Sequence, residues 1–334
     1  MKEQQTALVL GATGGIGGEV ARQLRDAGWQ VRALRRGAAR PAESGDGIQW
    51  IAGDALDAGA VLAAAEGCAL IVHAVNPPGY RRWSELVLPM IDNTIAAARA
   101  QQATVLLPGT VYNHGPDAFP VLTEDSPQHP HTRKGAIRVA LERRLAQAAA
   151  QGGMRVIVVR AGDFFGPRAG NSWFTQGMVQ PGGVVRVVRL PGRAGVGHQF
   201  AYLPDVARTM VELVQRRDEL PAFASFHMAG HWDADGQGFA RAIQRVMVRH
   251  GHAQPRLQAF PWWLVRLLSP FVATFRELLE MRYLWQQEVR LHNGQLLRFL
   301  GHEPHTPLDA AIEATLSGIG CLGAAAPGAE AMAR

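Results

Sequence analysis

Short, nearly continuous apolar runs separated by amphipathic stretches dominate the first half of the chain. The runs at residues 7–10, 30–34, 49–52, 70–75, 105–107 and 155–160 predict strands, and helical spacing of apolar positions predicts helices over 16–27, 57–66, 83–100 and 132–151. The strands show little polar alternation. A sheet built from them is covered on both faces, as in a parallel, doubly wound α/β fold. The first strand runs directly into Gly11-Ala12-Thr13-Gly14-Gly15-Ile16-Gly17, and a helix follows. Gly11 permits a tight turn, Gly14 lets backbone approach a ligand, and Gly17 lets the helix pack close to the strand. The free N–H groups and positive end of the helix then face an anion. This strand–turn–helix predicts a pyrophosphate cradle made by Gly11, Thr13, Gly14, Gly15, Ile16 and Gly17.

After Gly166 the pattern loosens. A glycine- and valine-rich stretch at 182–197 contains the turn signal Pro191-Gly192. Helices are expected over 205–215 and 237–249, and a strand over 223–228 that returns to the main sheet. Residues 261–288 read as a helical region, rich in Trp, Leu and Phe, that Pro270 breaks or kinks. It could lie on a membrane surface, or cover a substrate or meet another subunit; Glu277 and Glu280 would oppose anionic lipid and favour the latter. The expected organisation is a nucleotide-binding domain over 1–165, a substrate-binding region over 166–323 with segments near 198–230 returning to the first domain, and a flexible tail over 324–334.

Composition narrows the function classes. With 334 residues, 47% hydrophobic and 19% charged, the chain can bury one large core or two intimate ones. It shows no secretory signal and no charge-free apolar run of spanning length, and Cys68 and Cys321 make neither a disulfide framework nor a metal spacing. The cytoplasm is therefore the expected compartment, and no metal is expected. The net charge of +6 comes from scattered basic residues, without a basic stripe interleaved with aromatics, so no nucleic-acid partner is expected. The only lysines are Lys2 and Lys134, which singles out Lys134 within the fold.

Further landmarks recur in order: Gly53-Asp54-Ala55-Leu56-Asp57, His73-Ala74-Val75-Asn76, Thr110-Val111-Tyr112, Arg160-Ala161-Gly162-Asp163-Phe164-Phe165-Gly166-Pro167, Phe200-Ala201-Tyr202-Leu203-Pro204-Asp205-Val206-Ala207, and Leu300-Gly301-His302-Glu303-Pro304 with Pro307-Leu308. With the glycine turn, they make the chain resemble the extended or atypical short-chain dehydrogenase/reductase superfamily, of the epimerase/dehydratase kind, over nearly its whole length. The resemblance implies a Rossmann-type doubly wound parallel sheet with a smaller, mostly helical C-terminal substrate region. It places Asp54 and Ala55 at adenine, and Ala74, Asn76, Ala161, Gly162 and Asp163 along the rest of the cofactor. It also implies a homodimer paired through the helices at 83–100 and 132–151, with Leu86/Met90 and Val139/Leu145 as candidate rows. The second strand ends in Arg35-Arg36, where an acid would read an unphosphorylated ribose; guanidinium suits a 2′-phosphate, so NADP(H) is expected over NAD(H).

The superfamily's Ser/Thr–Tyr–Lys catalytic set is missing. With Glu142 as register mark, the lysine position falls on Arg138, the tyrosine position on Lys134 and the serine position on Pro108, with Thr110 two residues on. No tyrosine lies between Tyr112 and Tyr202. Three readings stand. Lys134, its pKa lowered by burial and by Arg133 and Arg138, transfers the proton and touches the cofactor while Arg138 holds the ribose. Or the chain is a non-catalytic redox sensor resembling the NmrA-like relatives. Or another group acts, among Tyr112, Asp163, His114 and His198. A small-molecule substrate, anionic or a sugar nucleotide, is expected against Trp173, Arg193, His198 and Tyr202, with Arg168 and Arg189 as further anion-binding candidates.

Overall fold

The computed structural model describes residues 4–37, 42–43, 45–77, 82–170 and 172–323; the expected tail at 324–334 lies outside them. In chain order the first half contains β1 (Thr6–Leu10), α1 (Gly15–Asp26), β2 (Gln30–Arg35), β3 (Ala42–Glu43), β4 (Ile48–Ala52), α2 (Ala58–Ala64), β5 (Cys68–His73), α3 (Trp83–Ala100), β6 (Thr104–Gly109), β7 (Val121–Leu122), α4 (Arg133–Ala150) and β8 (Arg155–Arg160). The second half contains β9 (Asp163–Phe165), β10 (Val187–Leu190), β11 (His198–Tyr202), α5 (Leu203–Gln215), β12 (Phe223–His227), β13 (His231–Asp233), α6 (Gly238–Arg249), β14 (Arg256–Ala259), α7 (Trp262–Leu268), α8 (Ala273–Met281), β15 (Arg290–Leu291), α9 (Gly294–Leu300) and α10 (Leu308–Gly318).

The main sheet has the strand order β12-β8-β6-β5-β1-β2-β4-β3, and every pair but the β3–β4 edge is parallel. Alternation along β1 sends Ala7 and Val9 to one face and Leu8 and Leu10 to the other. Val20 and Leu24 of α1, with Val206 and Met210 of α5, close the first face; Val61 of α2, Ile91 of α3, and Leu141 and Leu145 of α4 close the second. Burial on both faces explains why these strands read as uninterrupted apolar runs. The strand returning at 223–228 is β12, paired with β8 through Phe223↔Val156 to His227↔Arg160. The candidate dimer rows are used within the chain: Val139 and Leu145 are buried, as is Met90, which with Leu86 borders the ligand trench described below.

A smaller, largely helical region follows. Its core joins Phe165, Phe174, Phe200, Tyr202, Phe239, Ile243, Trp285 and Ile312, with β9, β11 and β13 as a short mixed sheet. The 261–288 stretch breaks at Pro270: α7 ends at Leu268 and α8 begins at Ala273. Among the described residues, no helix is long and apolar enough to cross a membrane.

Candidate functional site

Strand order reverses at β1: the chain steps outward through β2 on one side and resumes with β5 on the other. In doubly wound sheets such a reversal opens a crevice at the carboxyl ends of the strands. Here a trench of about 600 Å³ opens there, bordered by Gly11, Thr13, Gly14, Gly15 and Ile16. Gly11 has φ +91°, and a Cβ on it would lie 2.5 Å from the Ala74 carbonyl oxygen. A Cβ on Gly17 would lie 2.3 Å from the Gly11 oxygen, so Gly17 sets how closely α1 sits against the turn. No side chain caps α1 at Gly14 and its first turn carries no acid, which leaves the amides at that end for an anion. Arg35, Arg36, Asp54, Ala55, Ala74 and Asn76 border the same trench. Asp54 Oδ1 accepts from the Leu56 amide at 3.0 Å, and the following helix α2 is capped by Asp57. A cradle that side chains would fill, open amides and an elongated trench fit a dinucleotide.

Beyond Asn76 and Phe164 the trench leads to a cavity of about 230 Å³, lined by Thr110, Tyr112, Arg138, Asp163, Trp173 and Phe260 among others. The buried Arg138 guanidinium donates to Asn76 Oδ1 at 2.8 Å and lies over the Trp83 ring at 5.2 Å. A smaller recess of about 110 Å³ shares Thr110, Tyr112 and Asp163 and adds Ala161, Gly162 and His198. Parallel pairing of β9 with β11 brings two residues distant in sequence together: His198 Nε2 lies 2.7 Å from Asp163 Oδ2. The imidazole is stacked on Trp285, centroids 3.7 Å apart and planes 9° apart, which fixes its orientation. An aspartate, its histidine partner, a threonine and a tyrosine therefore line the same recess.

Lys134 lies elsewhere. It is 3% exposed, and its Nζ contacts the carboxylate of Glu277 and lies 3.3 Å from Glu280 Oε2 and 3.1 Å from the Glu277 carbonyl oxygen. The expectation that arginines crowd this ammonium is corrected: two carboxylates of α8 enclose it. It borders neither the trench nor the cavity. Tyr202 turns into the aromatic core, 5.3 Å from Phe165, where burial raises its phenol pKa. Arg193, Arg189 and Arg168 are exposed, and Arg168 pairs with Glu19 at 3.6 Å; the guanidinium in the cavity is that of Arg138.

From Thr110, in the cavity lining, a half-buried chain of hydrogen bonds runs to a buried ion pair. Thr110 Oγ1 donates to Asn113 Oδ1 (3.1 Å), Asn113 to Gln128 (3.1 Å) and Gln128 to Glu142 (3.3 Å). Glu142 and Arg160 form a two-point ion pair at 2.9 and 3.1 Å, and Arg160 also donates to the Thr110 carbonyl and, at 3.3 Å, to His227 Nε2. Burial, with Arg160 beside it, lowers the His227 pKa to about 3 and that of His114 to about 4. The register mark Glu142 is thus half of the buried ion pair that holds the end of β6. Trp83 and Phe260, which line the cavity, and Trp285, which stacks on His198, come from three separate segments, so no local sequence signal joins them to the site. Among the described residues, no cluster of His, Cys, Asp and Glu could hold a metal ion.

Comparison with known proteins places this geometry. Residues 7–229 match the family model described as the NAD dependent epimerase/dehydratase family. An uncharacterized protein, y4nL, of Sinorhizobium fredii (strain NBRC 101917 / NGR234) is 31% identical over 180 residues, covering 48% of this chain and 51% of that protein. A 3-diazoavenalumate denitrifying reductase of Streptomyces sp is 30% identical over 179 residues, covering 49% of this chain and 57% of that protein. The chain thus spans just over half the length of these curated relatives. MoeE5 in complex with UDP-glucose and NAD superposes with a TM-score of 0.69 at 16% identity, covering 94% of this chain and 98% of that one. UDP-glucose 4-epimerase from Brucella ovis, in complex with NAD, gives a TM-score of 0.69 at 15% identity, covering 95% and 98%. The cofactor these structures carry is NAD, which overturns the preference for NADP(H) drawn from Arg35 and Arg36. The side chains supply the reason: the Arg35 guanidinium lies over the Trp50 ring at 5.2 Å, and Arg36 is one exposed arginine in a chain whose basic residues are nearly all arginine.

Proposed function

The chain belongs to the NAD dependent epimerase/dehydratase family, a family of enzymes, and from that footing we propose that it is an NAD-dependent oxidoreductase in which Asp163, oriented by His198, moves the proton. The observation that carries this reading is the 2.7 Å Asp163–His198 pair in the recess that adjoins the dinucleotide trench. The amides of Gly15 and Ile16 would hold the pyrophosphate, while that of Gly14 closes the turn on the Gly11 oxygen at 2.9 Å; Asp54 and Ala55 would hold the adenine, and Asn76, Ala161 and Gly162 the nicotinamide end. NAD, when bound, supplies the means to take up or deliver a hydride at a substrate carbon. The Asp163 carboxylate takes the proton from the substrate hydroxyl, or returns it to the oxygen. His198 holds one carboxylate oxygen so that the other is presented to the cavity, and its stacking on Trp285 keeps it there. Thr110 and Tyr112 line the same recess. Lys134 ties the C-terminal lobe to α4.

The cavity also bears on substrate class. A volume of about 230 Å³ with Trp83, Tyr112, Phe164, Trp173 and Phe260 in its walls suits an apolar, ring-sized group. Arg138 at its junction with the trench suits an anionic or hydroxyl substituent. The Streptomyces relative, a reductase by name, supports redox chemistry. The test loads the full chain with NAD⁺ or NADH, adds fractionated cell metabolites and follows absorbance of the reduced nicotinamide. Wild type changes redox state with at least one fraction. Asp163→Asn slows that change by about 10²–10⁴-fold without weakening NAD binding, and His198→Gln slows it less and moves the pH–rate profile. Wild-type rates from Asp163→Asn would sink the assignment, and a loss confined to Lys134→Ala would transfer the role to Lys134.

A further inference from the structure

The three most exposed large hydrophobic side chains among the described residues sit on one short hairpin: Phe271 is 85% exposed, Trp263 70% and Leu267 62%. They are spaced i, i+4, i+8 along α7 and the turn after it. The amides of Phe271 and Val272 both bond to the Leu268 carbonyl at 3.0 Å, which carries the helical path onward so that the three form one row. Leu264 and Val272, each 37% exposed, widen it. A contiguous exposed apolar row on a chain otherwise well packed marks a surface that meets something.

The charges decide what. Glu277 and Glu280, the acids that would repel an anionic surface, point inward and enclose the Lys134 ammonium. What the hairpin turns outward beside its apolar row is cationic: Arg266 and Arg276 are exposed, and Arg276 Nη1 lies 3.5 Å from the Pro270 carbonyl oxygen, next to Phe271. The chain as a whole carries +6. A tryptophan, aliphatic and phenyl groups flanked by arginines, with the local acids neutralised internally, is the chemistry of a shallow insertion at a lipid headgroup boundary. We propose that the α7–α8 hairpin seats the protein on an anionic lipid surface, with Trp263, Leu267 and Phe271 entering the interface and Arg266 and Arg276 contacting headgroup phosphates. This is attachment to one face of a membrane, not passage through it.

The experiment is co-sedimentation of the full chain with vesicles of phosphatidylcholine alone and of phosphatidylcholine mixed with phosphatidylglycerol. Wild type pellets with the anionic vesicles at low salt, and added salt weakens the association. The triple substitution Trp263→Ser, Leu267→Ser, Phe271→Ser lowers partitioning by about a hundredfold or more. Arg266→Gln with Arg276→Gln lowers it about fivefold per arginine, on the anionic vesicles alone. All five side chains are exposed, so circular dichroism and the thermal transition of the variants stay those of wild type. The proposal is overturned if wild type pellets with neither composition at low salt, or if the triple variant pellets as wild type does. It is equally overturned if sedimentation velocity shows self-association that the triple variant abolishes while vesicles bind neither protein; the row would then be an interface between copies of this chain.

Discussion

Replacing Lys134 by methionine separates a catalytic lysine from a structural one. The ammonium is 3% exposed and sits 3.3 Å from Glu280 Oε2, with the Glu277 carboxylate in contact as well. At an effective dielectric constant of about 20, one pair at that distance is worth roughly 5 kcal/mol of Coulomb energy, most of it offset by desolvation of the ammonium. Removing the cation leaves two carboxylates three residues apart on α8, facing each other across the gap. Breaking a fully buried pair costs about 3–5 kcal/mol. Glu277 and Glu280 keep 23% and 17% of their side-chain exposure, so both can turn partly to water. The expected loss is therefore nearer 2 kcal/mol, and it falls on the contact between α4 and α8 rather than on the sheet. That corresponds to an about 30-fold rise in the open population of the α7–α8 hairpin. Hydrogen–deuterium exchange reads it directly: amides of α8 exchange about 30-fold faster in Lys134→Met, while those of α1 and β1 do not change. Adding Glu277→Gln and Glu280→Gln to that variant recovers most of the protection, because no carboxylate is then left uncompensated. Unchanged exchange in α8 together with lost turnover would refute this reasoning and return Lys134 to the chemistry.

Gly17→Ala places a Cβ 2.3 Å from the Gly11 carbonyl oxygen, so α1 must shift away from the turn; NAD binding followed by calorimetry weakens at least about tenfold and the melting temperature falls. Arg160→Met leaves Glu142, itself 5% exposed, without its partner and costs about 3–5 kcal/mol in urea unfolding, whereas Arg160→Met with Glu142→Leu costs far less; equal losses would show that the ion pair is not the cause. Acid sensitivity follows from three buried histidines: burial lowers the pKa of His73 and His227 to about 3 and that of His114 to about 4. In the unfolded chain each titrates near the usual value of about 6.5, so below that pH the unfolded state binds more protons and stability falls. Each of the three contributes up to ~1.4 kcal/mol per pH unit between about 6.5 and its folded value, and His73→Gln flattens the urea-measured stability profile between neutrality and pH about 4.

Much of the fold could be read along the chain for a local reason. Strands buried on both faces leave unbroken apolar runs, and the Gly11–Gly17 turn has a backbone that side chains would obstruct, so the pattern and the constraint sit in consecutive residues. The break at Pro270 was legible in the same way. The charge arguments were not. Arg35 and Arg36 suggested a phosphate because a sequence does not reveal that Trp50, two strands away in chain order, lies under one of the guanidiniums. Lys134 looked crowded by arginines at its own end of α4, yet its nearest charges come from α8, more than 140 residues later.

The Asp163–His198 pair shows where such reading stops and why. Both residues stood among the alternatives for the missing tyrosine, but singly, since a separation of 35 in sequence carries no signal of contact. What joins them is the parallel register of β9 and β11, in which Asp163 faces Phe200 and so lies within reach of the side chain two residues earlier. The partner that holds the imidazole, Trp285, comes from the stretch after α8, and that stretch is positioned by the helix that Lys134 ties down. The lysine and the proposed acid–base pair are thus mechanically linked though chemically separate. Loosening α8 through Lys134→Met should therefore disturb the stacking under His198 and lower turnover modestly, and the Glu277→Gln, Glu280→Gln background should restore it. A lysine acting on the substrate itself would not be rescued by substitutions in two carboxylates that border neither the trench nor the cavity.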